Sequence, residues 1–175
     1  YQDLTVVSLV TNPENLFDPD TGIYVTGNQY LDWKNSDAYN PDKSVWDTNN
    51  LTNYFSKGKK WEREAALTVF QDGKAVVDQN IGIRIKGASS RNSAQKNFNL
   101  YARSTYGASK ISYPLIPDNY AADGTLIDQY DSVSLRAVSE EGRLRDGFSQ
   151  KLLTDRTDLT KQDMQSCVVF LNGEY

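Results

Sequence analysis

The stretch that decides the fold, residues 80–103, has the sequence NIGIRIKGASSRNSAQKNFNLYAR. Isoleucine occupies every second position from Ile81 to Ile85, which predicts a strand with one buried face. Residues 96–103 alternate in the same way, so a second strand is expected there. The side chains predicted to face the core are Ile81, Ile83, Ile85, Phe98 and Leu100.

The turn between these strands, residues 87–91, combines one glycine, two serines and an arginine. Glycine permits positive φ and close approach of a ligand, and small residues can leave N–H groups pointing outward as an anion nest. An arginine fork suits phosphate or carboxylate, and a lysine on the next strand can point back to the turn. The candidate anion-binding residues are Gly87, Ser89, Ser90, Arg91 and Lys96. The alternative is an ordinary polar hairpin with solvated charges.

The rest of the chain predicts further strands and one main helix. An Asp-Gly turn at 72–73 joins strands at 65–70 and 75–78, and an Asn-Gly turn at 172–173 follows the last strand. The fold class is therefore α+β, rich in antiparallel strands. The other predicted elements are strands at 4–10, 22–27, 132–137 and 165–171 and an amphipathic helix at 144–153.

Two regions are expected. Residues 1–60 form an N-terminal extension, with a strand followed by a long polar stretch whose aromatic side chains, from Tyr30 to Phe55, either anchor the loop or meet a partner. Residues 61–175 form one compact unit. Because the chain begins at Tyr1 without Met, and its last hairpin signal lies at its end, we expect it to be a piece of a larger protein.

Composition excludes several function classes. The net charge of −4 disfavours nucleic-acid binding, although basic islands lie at 57–63 and 84–103. Histidine is absent, which excludes Ser-His-Asp and Cys-His catalysis within this chain. The single cysteine, Cys167, is predicted to be a buried structural thiol. No apolar run approaches the roughly 18 residues of a membrane span.

Residues 82–91 and 95–103 together resemble the signature of the CotH family, the spore-coat-protein-H kinases, which show a Gly-x-Arg-x-(Lys/His)-Gly-x-x-Ser-Arg stretch with a lysine soon after. Further pieces resemble the family in the same order, and the resemblance covers nearly the whole chain. These pieces are residues 7–10 and 22–27, the Trp-Glu-Arg at 61–63, Leu135-Arg136, Arg145-Asp146 and residues 170–175.

The resemblance implies a divergent protein-kinase-like N-lobe with an N-terminal extension, lacking the C-terminal catalytic half. It implies ATP with a divalent metal such as Mg²⁺, phosphorylation of an unknown protein substrate, and a bacterial location that is extracellular, at the cell surface or in the spore coat. Gly87, Ser89, Ser90, Arg91 and Lys96 would face the nucleotide phosphates. The catalytic and metal-binding aspartates are expected beyond Tyr175, so no catalytic or metal residue is assigned and the fragment is expected to be inactive alone. The alternative is a binding or scaffold module of a multidomain extracellular protein, with a carbohydrate, a protein or other modules of the same polypeptide as partner.

Overall fold

The computed structural model describes residues 4–42, 51–137, 145–153 and 162–175. Within these ranges the chain is rich in strands and has few helices. The helices are α1 (Pro13–Phe17), α2 (Asn28–Lys34) and α3 (Arg145–Leu153), with 3₁₀ turns at Asn53–Phe55, Lys59–Trp61 and Ser89–Asn92. The strands are β1 (Thr5–Val10), β2 (Arg63–Gln71), β3 (Lys74–Lys86), β4 (Asn97–Tyr101), β5 (Ile111–Ser112), β6 (Gln129–Tyr130), β7 (Ser132–Leu135) and β8 (Cys167–Leu171).

Six of the strands form one sheet in the order β7-β4-β3-β2-β1-β8, and β5 pairs with β6 separately. All neighbours in the large sheet are antiparallel except β1 and β8, which are parallel. The predicted antiparallel-rich α+β class is therefore confirmed at this level. Strand β1, from the predicted N-terminal extension, lies inside the sheet between β2 and β8.

The core lies on one face of this sheet, as the isoleucine alternation predicts. Ile83 pairs with Leu100 and Ile85 with Phe98, and all four side chains are buried. Burying an aliphatic or aromatic side chain of this size contributes roughly 1.5–3 kcal/mol, so this row is a main source of stability. The same core includes Leu16 of α1, Ile23 after it and Ile111 of β5, which are also fully buried.

Both predicted Xaa-Gly turns are confirmed. Asp72 and Gly73 have φ of 50° and 72°, and Asn172 and Gly173 have φ of 52° and 84°. Positive φ at both central residues is the type I′ geometry, whose twist matches that of paired strands. The first turn joins β2 to β3, and the second closes a bridge between Leu171 and Glu174.

The strand predicted at 22–27 is wrong. The backbone N–H groups of Ile23 and Tyr24 donate to the carbonyls of Asn15 and Leu16, so this segment follows α1 instead of pairing with a strand. The apolar side chain of Ile23 is 1% exposed and belongs to the core. Short apolar runs do not distinguish a strand from a buried loop by pattern alone.

The predicted burial of Cys167 is also wrong, because this residue begins the outermost strand β8 and is exposed. The helix at 144–153 is present as α3, while Leu144 lies outside the described residues. Its apolar residues Phe148 and Leu152 are 63% and 48% exposed, so the described residues do not bury an apolar face of α3. Among the described residues, no helix has the length and apolar character needed to cross a membrane.

Candidate functional site

The turn after β3 depends on a glycine at position 87. Gly87 has φ of 119°, and a Cβ there would lie 2.2 Å from the Oγ of Ser90. A side chain at this position would therefore be strained and would also clash. The Ser90 Oγ accepts a hydrogen bond of 3.0 Å from the Nδ2 of Asn97, at the start of β4. The tight turn is thereby tied to the strand that follows it.

Arg91 fastens this turn to a distant segment. Its Nε donates to the carbonyl of Gly87 at 2.6 Å, and its Nη1 donates to the carbonyls of Tyr54 and Ser56 at 2.7 and 3.2 Å. The residue is 6% exposed. Burial, followed by the charge of Arg84, lowers the pKa of Arg91. In this structure the guanidinium serves the internal architecture of the turn.

Lys96 performs a similar role from the other end of the turn. Its Nζ donates to the carbonyls of Arg91 and Ser93 at 2.7 and 3.1 Å. The same atom lies 3.9 Å from the ring centroid of Tyr54 and 5.3 Å from that of Tyr24, which are cation–π contacts. Burial lowers the pKa of Lys96 to about 8, so the ammonium still predominates at pH 7.

All five residues predicted from the sequence thus belong to one turn, but their exposure differs. Ser89 is exposed and Gly87 is half-buried, whereas the cationic groups of Arg91 and Lys96 donate to backbone carbonyls. The structure therefore separates the five into surface positions that a ligand can reach and two internal cations that hold the turn.

A second polar group, on the sheet face opposite the core, is not among the predicted site residues. The Nζ of Lys86 donates to the Oγ of Ser134 at 2.7 Å, and that hydroxyl donates to the Oδ1 of Asn99 at 2.7 Å. The Nδ2 of Asn99 donates in turn to the hydroxyl of Tyr101 at 3.0 Å. The guanidinium of Arg84 lies over the Tyr101 ring, 4.1 Å from its centroid. These residues form the polar sheet face, defined as Arg84, Lys86, Asn99, Tyr101 and Ser134.

Glu62 is the buried carboxylate beside this face. Its side chain is fully buried, and it accepts hydrogen bonds from Arg103 Nε at 2.7 Å, Arg103 Nη2 at 3.0 Å and the Tyr106 hydroxyl at 3.1 Å. The Nε of Arg84 lies 3.5 Å from its Oε2. Burial acts to raise the pKa of Glu62, but the hydrogen bonds from Arg103 and Tyr106 and the charges of both arginines outweigh it and leave the pKa below its ordinary value.

The position of Glu62 requires a glycine on β3. A Cβ at residue 82 would lie 2.6 Å from the Glu62 Oε1 and 2.7 Å from its Cγ. Gly82 therefore leaves the space in which this carboxylate sits. The alternation of 81–86 indicated which residues share the polar sheet face, since Gly82, Arg84 and Lys86 fall opposite the isoleucines. No local sequence signal indicated that Glu62 would lie against them.

Metal ligation by this chain has no candidate among the described residues, where no group of three or more His, Cys, Asp or Glu side chains could hold an ion. The expectation that metal ligands lie elsewhere stays a prediction. Comparisons of the chain with protein-family models, with curated proteins and with solved structures give no match.

Proposed function

We propose that this chain supplies the phosphate-facing part of the nucleotide site of a CotH-type, ATP-dependent protein kinase. The observation that supports this most is the turn after β3, which joins two antiparallel strands through a glycine that cannot carry a side chain without a clash. A glycine-containing turn between antiparallel strands is how protein kinases cover ATP phosphates. Arg91 and Lys96 give this turn a fixed shape by bonding its carbonyls and those of Tyr54 and Ser56.

Phosphoryl transfer requires mainly positioning and neutralisation of negative charge, and the protein does little covalent chemistry. In the proposed site, the turn from Gly87 to Ser90 would approach the phosphates with its exposed residues Ala88 and Ser89, and the Ser89 hydroxyl could donate to a phosphate oxygen. A divalent metal, when bound with ATP, would neutralise phosphate charge. The aspartates that hold the metal and orient the accepting hydroxyl are predicted beyond Tyr175, so residues 1–175 should bind nucleotide without catalysing transfer.

The test is a calorimetric titration of the 175-residue chain with ATP and Mg²⁺. Ser89→Glu places a carboxylate on the exposed turn and should weaken binding about tenfold, because a like charge near a phosphate opposes its approach. Ser109→Glu, at an exposed serine in the loop before β5, is the matched control and should leave the affinity within twofold. Equal affinities of Ser89→Glu and the wild type for ATP would argue against the proposed site. Phosphotransfer activity of the 175-residue chain alone would argue against the prediction that it binds nucleotide without catalysing transfer.

The binding-module alternative has its own observation. Tyr30 and Trp33 of α2 form an aromatic cluster with Tyr39, which follows that helix. The ring centroids are 5.8 Å apart for Tyr30 and Trp33 and 5.1 Å apart for Trp33 and Tyr39, and Tyr39 is 39% exposed. Aromatic clusters of this kind can bind a sugar or a protein partner. A thermal shift with an oligosaccharide panel, together with none for ATP and Mg²⁺, would favour this alternative over the kinase proposal.

A further inference from the structure

Arg84 and Lys86 lie two positions apart on β3, on the face opposite the core. Arg84 is in register with Asn99 of β4, and Asn99 is in register with Ser134 of β7. Neighbouring strands are about 4.8 Å apart, and alternate residues along a strand about 6.8 Å apart. The cationic and the hydrogen-bonding side chains of this face are therefore within reach of one small ligand.

Lys86 is held in place by the polar network and keeps donor capacity. One of its three N–H groups bonds to Ser134, whose hydroxyl bonds to Asn99. Asn99 in turn donates to the Tyr101 hydroxyl, which leaves the phenolic proton available to another acceptor. The network thus orients Lys86, and within the ranges that the structure describes no carboxylate pairs with it.

Arg84 is also held in place and, as far as the structure describes the chain, keeps donor capacity. Its guanidinium stacks on the Tyr101 ring, its Nε faces Glu62 Oε2 at 3.5 Å, and its side chain is 22% exposed. Its two terminal amino groups make no hydrogen bond to any other residue within the described ranges. A planar guanidinium with free terminal amines can bind an oxyanion through two parallel hydrogen bonds.

The charge of this face is not cancelled by Glu62. That carboxylate is already bound by Arg103 through two hydrogen bonds of 2.7 and 3.0 Å. The charges of Arg84, Lys86, Arg103 and Glu62, all within the described residues, sum to two positive units. A fixed positive region in a protein of net charge −4 attracts an anion to that place.

We propose that the polar sheet face is an oxyanion site that takes a phosphate group between Arg84 and Lys86. This inference rests on the proposed function and deepens it, because it assigns the phosphate-binding cations to β3 and a positioning role to Arg91 and Lys96. The site is adjacent in sequence to Gly87, where the turn begins. A free polyphosphate and the phosphates of a nucleotide share this chemistry, and the experiment separates them.

The experiment titrates the full chain at low ionic strength with sodium tripolyphosphate, ATP and adenosine, using ³¹P NMR shifts and calorimetry. Arg84→Gln and Lys86→Gln should each weaken tripolyphosphate binding about tenfold, since each removes charged hydrogen bonds to the anion. Arg84→Lys keeps the charge but loses the fork, and should fall between Arg84→Gln and the wild type. Lys74→Gln, at the exposed opposite end of the same strand, should stay within twofold. Circular dichroism and thermal melts check that each variant is folded.

The outcomes separate this inference from the proposed function. If ATP and tripolyphosphate bind but neither glutamine variant loses affinity, the oxyanion site is wrong while nucleotide binding stands. If tripolyphosphate binds through Arg84 and Lys86 while ATP binds no tighter and adenosine does not bind, the site stands and the nucleotide function fails. Absence of binding by both phosphate ligands at millimolar concentration overturns both. If Lys74→Gln loses as much affinity for tripolyphosphate as Arg84→Gln and Lys86→Gln do, the effect depends only on the overall charge of the protein. That result would also overturn the site.

Discussion

Replacing Glu62 with Gln tests whether the buried carboxylate organises the polar sheet face. The change keeps the shape but removes the charge, and it turns an N–H₂ group toward donors that need an acceptor. The carboxylate accepts bonds from Arg103 and Tyr106, and its side chain is completely buried. Breaking a fully buried ion pair costs about 3–5 kcal/mol, but the side chain of Arg103 is 33% exposed and can turn to water. We therefore expect a loss of about 3 kcal/mol, or a fall in Tm of about 6–12 °C.

The cost of Glu62→Gln should depend on pH in a defined direction. Because the pKa of Glu62 is lower in the folded protein than its ordinary value of 4.5, its ionised form stabilises the fold above pH 4.5. That contribution is lost as the pH falls through the folded pKa. The difference in free energy of unfolding between the wild type and Glu62→Gln should therefore become smaller in acid. Urea unfolding followed by tryptophan fluorescence measures the free energy of unfolding of both proteins at pH 7 and at pH 3.5.

The matched control is Glu64→Gln, two residues along on β2. Glu64 is exposed, and its carboxylate accepts one hydrogen bond of 3.2 Å from Asn80. Its replacement should cost less than about 0.5 kcal/mol, as exposed polar contacts contribute little. The reasoning is refuted if Glu62→Gln costs no more than this control at pH 7, or if its cost is unchanged at pH 3.5.

Further predictions concern the same architecture. Gly82→Ala should lower the free energy of unfolding by about 1–3 kcal/mol, because its methyl group displaces the Glu62 side chain. In a double-mutant cycle, Gly82→Ala combined with Glu62→Gln should lower it by less than the sum of the two single losses. Leu100→Ala, at a position 1% exposed, should cost about 2–5 kcal/mol in urea unfolding, whereas Leu126→Ala, at 41% exposed, should cost less than about 1 kcal/mol. The pKa of Lys96 is about 8 in the folded protein against an ordinary 10.5, so between pH 8 and pH 10.5 the unfolded chain binds one proton more than the folded protein does. The free energy of unfolding of the wild type should therefore rise with pH over this range relative to that of Lys96→Met. A flat difference between these two proteins from pH 8 to 10.5 would contradict the burial of Lys96.

The turn residues show how far the candidate site followed from the sequence. A glycine followed by small polar residues predicted a tight turn after β3, and Gly87 does have positive φ. The sequence also indicated that Arg91 and Lys96 would lie close together. It did not indicate that their cationic groups would meet the carbonyl of Tyr54 and its ring, because that segment lies 37 residues before Arg91 in the chain. Contacts across such separations leave no local periodicity.

By itself, the sequence determined the local elements: the alternating strand from 81 to 86 and the two type I′ turns at 72–73 and 172–173. These depend on side-chain period and on backbone conformations that neighbouring residues set. Only the tertiary structure decided that β8 lies parallel to β1, and that Glu62 lies against Gly82 between Arg84 and Arg103. Those placements arise from packing and charge pairing between distant segments. The polar sheet face therefore follows from the local alternation, while the carboxylate that organises it follows from the fold.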